Sequence, residues 1–351
     1  MSPLSRPSVA VGEFSVTHSE LCAHLGNVYG ETDDIARKMS AVKNCGVLTH
    51  YLCRPLAEVI PEQPQKNGQS LLDKARAYQD DAYRLAERAA RGALDSAGVA
   101  PAQIGAVITS TSAVYNTPSI DIELVDRLGL PATADRIPLS NLGCVGAPTG
   151  LARAADFLRS HPTEIALVVV VDLPTYLINP ADTGIDSMIL RGLSSDGASA
   201  LVVYGEEAIP HGAPGPQIVD TWSVTDAKAK YLIGWWADDT GNHMKNSKDV
   251  MSVFEELLGD LRDWLGERPE FVIPHPGSLK IIDVICDTLG CDRLMGWAGR
   301  DSLRHTGHTV GSAVLDVLRR TFDDPPRPES SGVLLAIGPG VTLGAAKLVW
   351  H

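Results

Sequence analysis

No two of the six cysteines (Cys22, Cys45, Cys53, Cys144, Cys286 and Cys291) form a C-x-x-C pair, which argues against both a disulfide framework and a zinc site. Basic residues are in deficit, with 30 Lys and Arg against 43 Asp and Glu and a net charge of −13, which excludes an extended nucleic-acid footprint. Any anionic ligand must then be met by a local basic patch. The segment Met1 to Glu13 carries one arginine and lacks the apolar stretch of a secretion signal, and no apolar run reaches the roughly 18 residues of a membrane span. The cytoplasm is the expected compartment. What is present is the composition of a globular protein, 44% hydrophobic and 21% charged with mean hydropathy +0.01, and not of a collagen, a coiled coil or a low-complexity chain. At 351 residues, roughly three quarters of the unfolded surface can be buried.

Periodicity orders the chain. Ala75 to Ala97 repeats Ala, Leu and Tyr at three- and four-residue intervals and stops at Gly98, which predicts an amphipathic helix with a glycine after its end. Ile104 to Ser112 predicts a buried strand, Pro118 to Leu128 a helix, Arg136 to Leu142 a strand and Ala147 to Leu158 a helix. Ile165 to Val171 is apolar at every position, as a central strand should be, and Ala198 to Tyr204 is a further strand. Gly212 to Pro216 breaks the pattern. Beyond it come a helix over Val250 to Leu265, a strand over Glu270 to Ile273 and helices over Leu279 to Leu289 and Val310 to Arg320. Strands over Gly332 to Ile337 and Thr342 to Val349 close the chain, after a surface loop at Asp323 to Gly332. The alternation predicts an α/β protein, and two halves of similar element order, 1–206 and 207–351, suggest an internal duplication with no residue-level repeat.

Cys144 lies in Asn141-Leu-Gly-Cys-Val-Gly-Ala-Pro148, between a strand and the first turn of a helix. Glycines there permit close backbone approach, and unpaired N–H groups at a helix start favour a thiolate and can hold a thioester oxyanion. The competing reading is an inert core cysteine. His275, in Pro274-His-Pro-Gly277 at the end of a predicted strand, is the candidate proton acceptor, or else a satisfied core residue. His308 sits in the small-residue turn Thr306-Gly-His-Thr-Val-Gly-Ser312 ahead of a helix, whereas the adjacent His305 reads as solvated. Gly338-Pro-Gly340 joins the last two strands and exposes backbone N–H groups suited to an oxyanion. Trp235 to His243, rich in aromatic and polar residues, reads as a tunnel rim or as packing.

Taken in order, these motifs resemble the type III polyketide synthases, the chalcone and stilbene synthase family, over nearly all of Val9 to Val349. The markers are Lys43-Asn-Cys-Gly-Val-Leu-Thr49, Thr109-Ser-Thr-Ser-Ala113 with Pro118-Ser-Ile-Asp121, Gly143-Cys144, Ser195-Asp-Gly-Ala-Ser199, His275-Pro-Gly277, Gly307-His308 and Gly338-Pro-Gly340. The resemblance implies a thiolase fold, a duplicated five-layered αβαβα architecture, with Cys144 in the first half and His275 and His308 in the second. It implies that Cys144 takes an acyl group from acyl-CoA, that His275 polarises the thiol and the malonyl carbonyl, and that malonyl-CoA extends the chain with loss of CO2. No permanently bound cofactor and no metal are implied; carrier-protein thioesters are alternative donors. The family's catalytic asparagine is replaced here by His308.

Further residues follow from the same resemblance. Thr111, Thr117, Ser194, Met244 and Ile337 are expected at the substrate pocket. Ser194 and Met244 stand where the family places phenylalanine gatekeepers, and Thr117 where a residue crosses into the partner's cavity in a homodimer. Gly338 and Gly340 would form the oxyanion loop, and Arg37 and Lys43, with Lys38 between them, would meet the CoA phosphates; a solvated charged face is the other reading of these cations. Three other functions stay open: a non-elongating acyltransferase serving an oxygen, nitrogen or carbon nucleophile, a catalytically dead scaffold, and a hydrolytic cysteine enzyme, for which no peptide groove is suggested. Small-molecule acyl thioesters, and an acyl carrier protein as a further candidate, are the expected partners; nucleic acid and membrane are not.

Overall fold

Short β-branched runs and longer amphipathic stretches alternate along the chain and fold largely as they read. A computed structural model describes residues 2–63, 71–113, 117–208 and 215–351. From the N-terminus come β1 (Ser2–Pro3), β2 (Ser8–Val11), β3 (Phe14–Thr17), α1 (His18–Tyr29), α2 (Ile35–Lys43), β4 (Thr49–Leu52), α3 (Leu56–Val59) and α4 (Leu71–Ala97). They are followed by β5 (Ile104–Thr111), α5 (Ile120–Leu128), β6 (Asp135–Ser140), α6 (Gly146–Ser160), β7 (Ile165–Asp172), α7 (Ile185–Leu193) and β8 (Gly197–Tyr204). The rest is β9 (Pro216–Thr225), β10 (Ile233–Asp238), β11 (Gly241–Asn246), α8 (Val250–Leu265), β12 (Phe271–Pro274), α9 (Leu279–Thr288), α10 (Trp297–Thr306), α11 (Ala313–Thr321), β13 (Ser331–Gly338) and β14 (Thr342–Trp350).

Two five-stranded sheets form the frame, ordered β2-β8-β7-β5-β6 and β1-β9-β14-β13-β12. In the first, β2 and β7 flank β8 antiparallel, and β7, β5 and β6 are parallel. The second repeats this: β9 and β13 flank β14 antiparallel, and β13 is parallel to β12. The duplication read from element rhythm is thus visible in strand direction. The expected boundary between residues 206 and 207 falls between β8 and β9, although β1 crosses to pair with β9 in the second sheet. Of the glycine-proline breaker, residues 212–214 lie outside the described residues.

Every position of β7 is buried because both its faces are covered. Leu167, Val169 and Val171 pack with Ala82, Ala86, Ala89 and Ala93 of α4, where small side chains let helix and sheet approach closely. The alternate residues Ala166, Val168 and Val170 pack with α6 and α11 and, beyond them, with Leu334, Ala346 and Leu348 of the second sheet. On that sheet's far side Val333 and Leu335 meet α8 and α9. The layers therefore run α4, sheet, α6 with α11, sheet, α8 with α9, the αβαβα order implied by the resemblance. No helix among the described residues is long and apolar enough to cross a membrane.

Some elements differ from the sequence expectation. The helix expected from Val310 is a 3₁₀ turn over Val310–Ser312 followed by α11, because Val310 takes a positive φ of 53°. The Trp235 to His243 segment, for which no strand is predicted, is a β10–β11 hairpin. Periodicity predicts nothing before Ala75, where strands of two to four residues and α1 to α3 are found.

The middle layer should carry much of the stability. Leu151 of α6 is fully buried there, so Leu151→Ala is expected to cost about 2–5 kcal/mol in denaturant melts, a loss under 1 kcal/mol contradicting a close-packed interlayer.

Candidate active site

The middle-layer helices α6 and α11 are each preceded by a short turn that carries chemistry. Cys144 sits in the turn Gly143–Val145, immediately before α6. Gly143 has φ +54°, and a Cβ there would lie 2.6 Å from Pro339 Cδ, so only glycine lets the Gly338-Pro-Gly340 loop close over the elbow. His308 precedes α11 and is stitched to the chain after α7: its N–H donates to the Leu193 carbonyl at 2.8 Å, and its carbonyl accepts from the Ser195 N–H at 3.1 Å. His275 follows β12 and extends the ladder, its N–H donating to the Leu335 carbonyl at 2.9 Å. A Cβ on Gly277 would sit 2.9 Å from His275 Nε2, so the glycine of the His-Pro-Gly motif keeps that nitrogen open.

These three side chains converge. Cys144 Sγ lies 3.7 Å from His308 Nε2, which lies 3.3 Å from His275 Nε2, and all three groups fall within 4.8 Å of one another. The rings meet edge to face at 76° with centroids 5.2 Å apart. The imidazole nearest the sulfur is therefore His308, and the role expected of His275 as partner of the thiol is redistributed. In the tautomer that carries its proton on Nδ1, His308 Nε2 has a single lone pair and accepts from the thiol or from His275, not from both. His275 Nδ1 is buried and has no hydrogen-bond partner among the described residues.

The electrostatics correct another expectation. A helix start favours a thiolate, yet burial, aided by the Asp172 carboxylate, pushes the Cys144 thiol up. Burial lowers His308 to about 4, and burial with the neighbouring His308 holds His275 well below the usual imidazole range. The resting site is thus a thiol beside two neutral imidazoles, and the helix dipole is outweighed.

Asp172, at the end of β7, is a residue that motif reading overlooks. Its carboxylate accepts from the Ser112 N–H at 2.7 Å and the Gly311 N–H at 2.9 Å, tying the end of β5 to the turn that carries His308. Burial pushes it up to about 7. A lone acid closing the all-apolar run Ile165 to Val171, at the carboxyl end of a central strand, is the signal that could have found it.

The triad opens onto a largely apolar cavity of about 380 Å³. Its walls come from α7, the β10–β11 hairpin, the start of α8 and the loops after β7 and β12, with Met244, Ile337 and Pro339 among them. Other expected pocket residues lie elsewhere. Ser194 ends α7 with its hydroxyl donating to the Leu190 carbonyl at 2.7 Å and its carbonyl 2.9 Å from His50 Nδ1, so its neighbour Leu193 faces the cavity instead. Thr111 and Thr117 line a second cavity of about 280 Å³ on the other side of Ala113, with Thr111 bonded to Tyr78 at 2.6 Å. Gly338 packs against the Leu142 carbonyl and the Val145 amide, and Gly340, at φ +79°, completes the loop.

Arg37 and Lys43 lie on α2 and do not line the cavity; Arg37 is exposed, 3.9 Å from Asp34, and Lys38 donates to the Asp33 carbonyl. Gly46, three residues beyond α2, comes close to Leu279, where a Cβ would stand 2.9 Å from its side chain, next to the cavity residue Ser278. Lys248 is a cation on the lining that motif reading does not single out.

Two outcomes follow for the thiol. Alkylation of Cys144 by iodoacetamide should be slow at pH 7, and Asp172→Asn should speed it about tenfold for each pKa unit that removing the like charge restores. Because His308 charges only below about 4, enzyme-catalysed acylation should keep its rate down to pH 5 and fall as acid protonates that base; a midpoint near 6.5 would contradict the burial described here.

Comparison with known proteins agrees with this geometry. Residues 15–207 match the family of chalcone and stilbene synthases, N-terminal domain. The chain is 28% identical to the 1,3,6,8-tetrahydroxynaphthalene synthase of Streptomyces coelicolor, across 100% of this chain and 93% of that one. It is also 28% identical to the phloroglucinol synthase of Pseudomonas fluorescens (100% and 99%) and 30% identical to the tetrahydroxynaphthalene synthase of Streptomyces peucetius subsp. caesius (95% and 88%). The crystal structure of the Streptomyces coelicolor tetrahydroxynaphthalene synthase, a bacterial type III polyketide synthase, superposes with a TM-score of 0.92 at 26% identity, covering 99% of each chain. On the matched domain, the five layers and the elbow cysteine, this chain belongs to the chalcone and stilbene synthase family of type III polyketide synthases and has the thiolase fold.

Proposed function

We propose that this protein loads an acyl group from an acyl-CoA onto Cys144 and extends it with malonyl-CoA by decarboxylative Claisen condensation. The observation that carries the reading is the convergence of Cys144, His308 and His275 at the end of an apolar cavity. In the resting site the lone pair of His308 Nε2 is shared between competing donors. When a thioester carbonyl enters, the His275 N–H turns to its oxygen and frees that lone pair for the thiol. Sulfur attacks the carbonyl carbon as its proton passes to His308, and CoA leaves as a thiol by taking that proton back. Malonyl-CoA then loses CO2, and the His275 Nε2–H donates to the resulting enolate oxygen, joined by His308 when that ring carries its proton on Nε2, in place of the family's amide. The enolate carbon attacks the Cys144-bound carbonyl, the S–C bond breaks with the electron pair going to sulfur, a chain two carbons longer leaves on CoA, and the Cys144 thiolate takes a proton from solvent to return to the thiol.

His308 in contact with the thiol also supports a second reading, in which a base takes a proton from an acceptor and the acyl group moves to it without elongation. In either case Lys43 and Arg37, together with Lys248, would meet the CoA phosphates, with the Gly338–Gly340 loop beside the oxyanion. The two halves 1–206 and 207–351 would act as one unit within a cytoplasmic homodimer that places exposed Thr117 toward its partner. An acyl carrier protein is a further candidate donor.

Incubation with carboxyl-labelled malonyl-CoA and an acyl-CoA panel should release CO2 and give a Cys144 adduct, both lost in Cys144→Ala. His308→Ala should slow adduct formation by about 10²–10⁴-fold. Product formed from an acyl-CoA and an acceptor with no malonyl-CoA would replace the first reading by the second.

A further inference from the structure

Helix α7 is built inside out. Its side turned to the protein core holds Ser187, Met188, Arg191 and Gly192, all buried, whereas Ile189, Leu190 and Leu193 are only half-buried and line the cavity. Arg191 fixes this orientation. Its guanidinium donates to the Asn179 and Asp182 carbonyls at 2.7 and 2.8 Å and to Ser187 Oγ at 2.9 Å, and it lies over the Tyr29 ring at 5.0 Å. Rotating the helix to bury its leucines would strip a buried cation of these partners, a far larger penalty than leaving three apolar side chains on open space. An apolar wall held toward a cavity is stabilised by whatever apolar group fills it.

The facing wall is apolar as well, from Ile233 and Trp235 on β10 and Val250, Met251 and Phe254 on α8. Three of the polar side chains on the lining are engaged by the protein, and Lys248 is the cation given above to the CoA phosphates. His243 bonds Thr240 at 2.7 Å and Asp238 at 3.1 Å, the Asp186 carboxylate accepts from the Asn246 N–H at 3.1 Å, and Ser278 Oγ accepts from the Ile281 N–H at 3.2 Å. A site built to recognise a hydroxylated acyl group would leave these three partners free for it.

We propose that the Cys144-bound group is a linear, unsubstituted aliphatic acyl chain of medium length, hexanoyl to decanoyl, lying along the Ile189, Leu190 and Leu193 face of α7. This rests on the acyl-loading reading above and adds its substrate class. The wall measures chain length, since each methylene moved from water into it contributes about the same free energy until the cavity is full.

The test is the rate of Cys144 adduct formation, followed by intact mass, with acetyl-, butyryl-, hexanoyl-, octanoyl-, decanoyl-, benzoyl- and malonyl-CoA. Second-order rates should rise by up to about fourfold for each methylene added, about fifteenfold for each two-carbon step from butyryl to octanoyl, with benzoyl and malonyl lagging. Leu190→Phe, checked for folding by its melting temperature, should move the optimum to a shorter chain, and Leu190→Ala to a longer one. A flat or falling series with acetyl or malonyl at full rate would overturn the chain-length proposal and leave acyl loading standing. Unchanged optima in both folded variants would overturn the assignment to α7. If no acyl-CoA labels Cys144, both this proposal and the acyl-loading reading fail.

Discussion

Everything at the reaction centre depends on two helices buried between two sheets. A helix in that middle layer has a sheet on either side, so α11 is buried except at Arg319 and Arg320, which close over its one acid, Asp316, while α6 buries most of its length and turns Arg153 and Arg159 to solvent. Such helices have little freedom to slide, because their apolar side chains meet packed neighbours in the sheets above and below. The turns that precede them inherit that rigidity. Cys144 and His308, 164 residues apart in sequence, are held within 3.7 Å because each hangs from the start of a clamped helix.

Asp172 joins these turns to the sheet. Its two backbone hydrogen bonds run to Ser112 and Gly311, so one carboxylate at the end of β7 spans the strand beside it and the loop of His308. Burial makes it a reluctant anion, and its charge near the sulfur opposes thiolate formation. The protein thus keeps its nucleophile protonated at rest, with a neutral imidazole as acceptor. That arrangement limits oxidation of the thiol, since thiolate is the susceptible form.

Much of the frame was legible in the sequence because its elements are long and strongly patterned. Ile165 to Val171 could only be a doubly covered strand, and α4 announced itself by alanine periodicity and Gly98. The hairpin β10–β11 was not legible: its aromatic and polar residues satisfy no two-residue alternation with a single buried face, since Trp235 and Trp236 are both exposed to a substantial degree. Helix α7 also escaped, because its leucines face a cavity and its arginine faces the core, which inverts the rule that periodicity relies on. Ser194, read as a pocket residue from its place in a motif, turned out to end that helix with its hydroxyl already engaged.

The sequence by itself determined the layered α/β fold and the identity of the reacting groups, since apolar period and glycine-flanked nucleophile are local properties of the chain. Which imidazole stands beside the sulfur, which way the thiol is pushed, and which walls enclose the cavity were decided only by tertiary structure. Those depend on distance and burial, which arise when segments more than a hundred residues apart are brought together and water is excluded from between them.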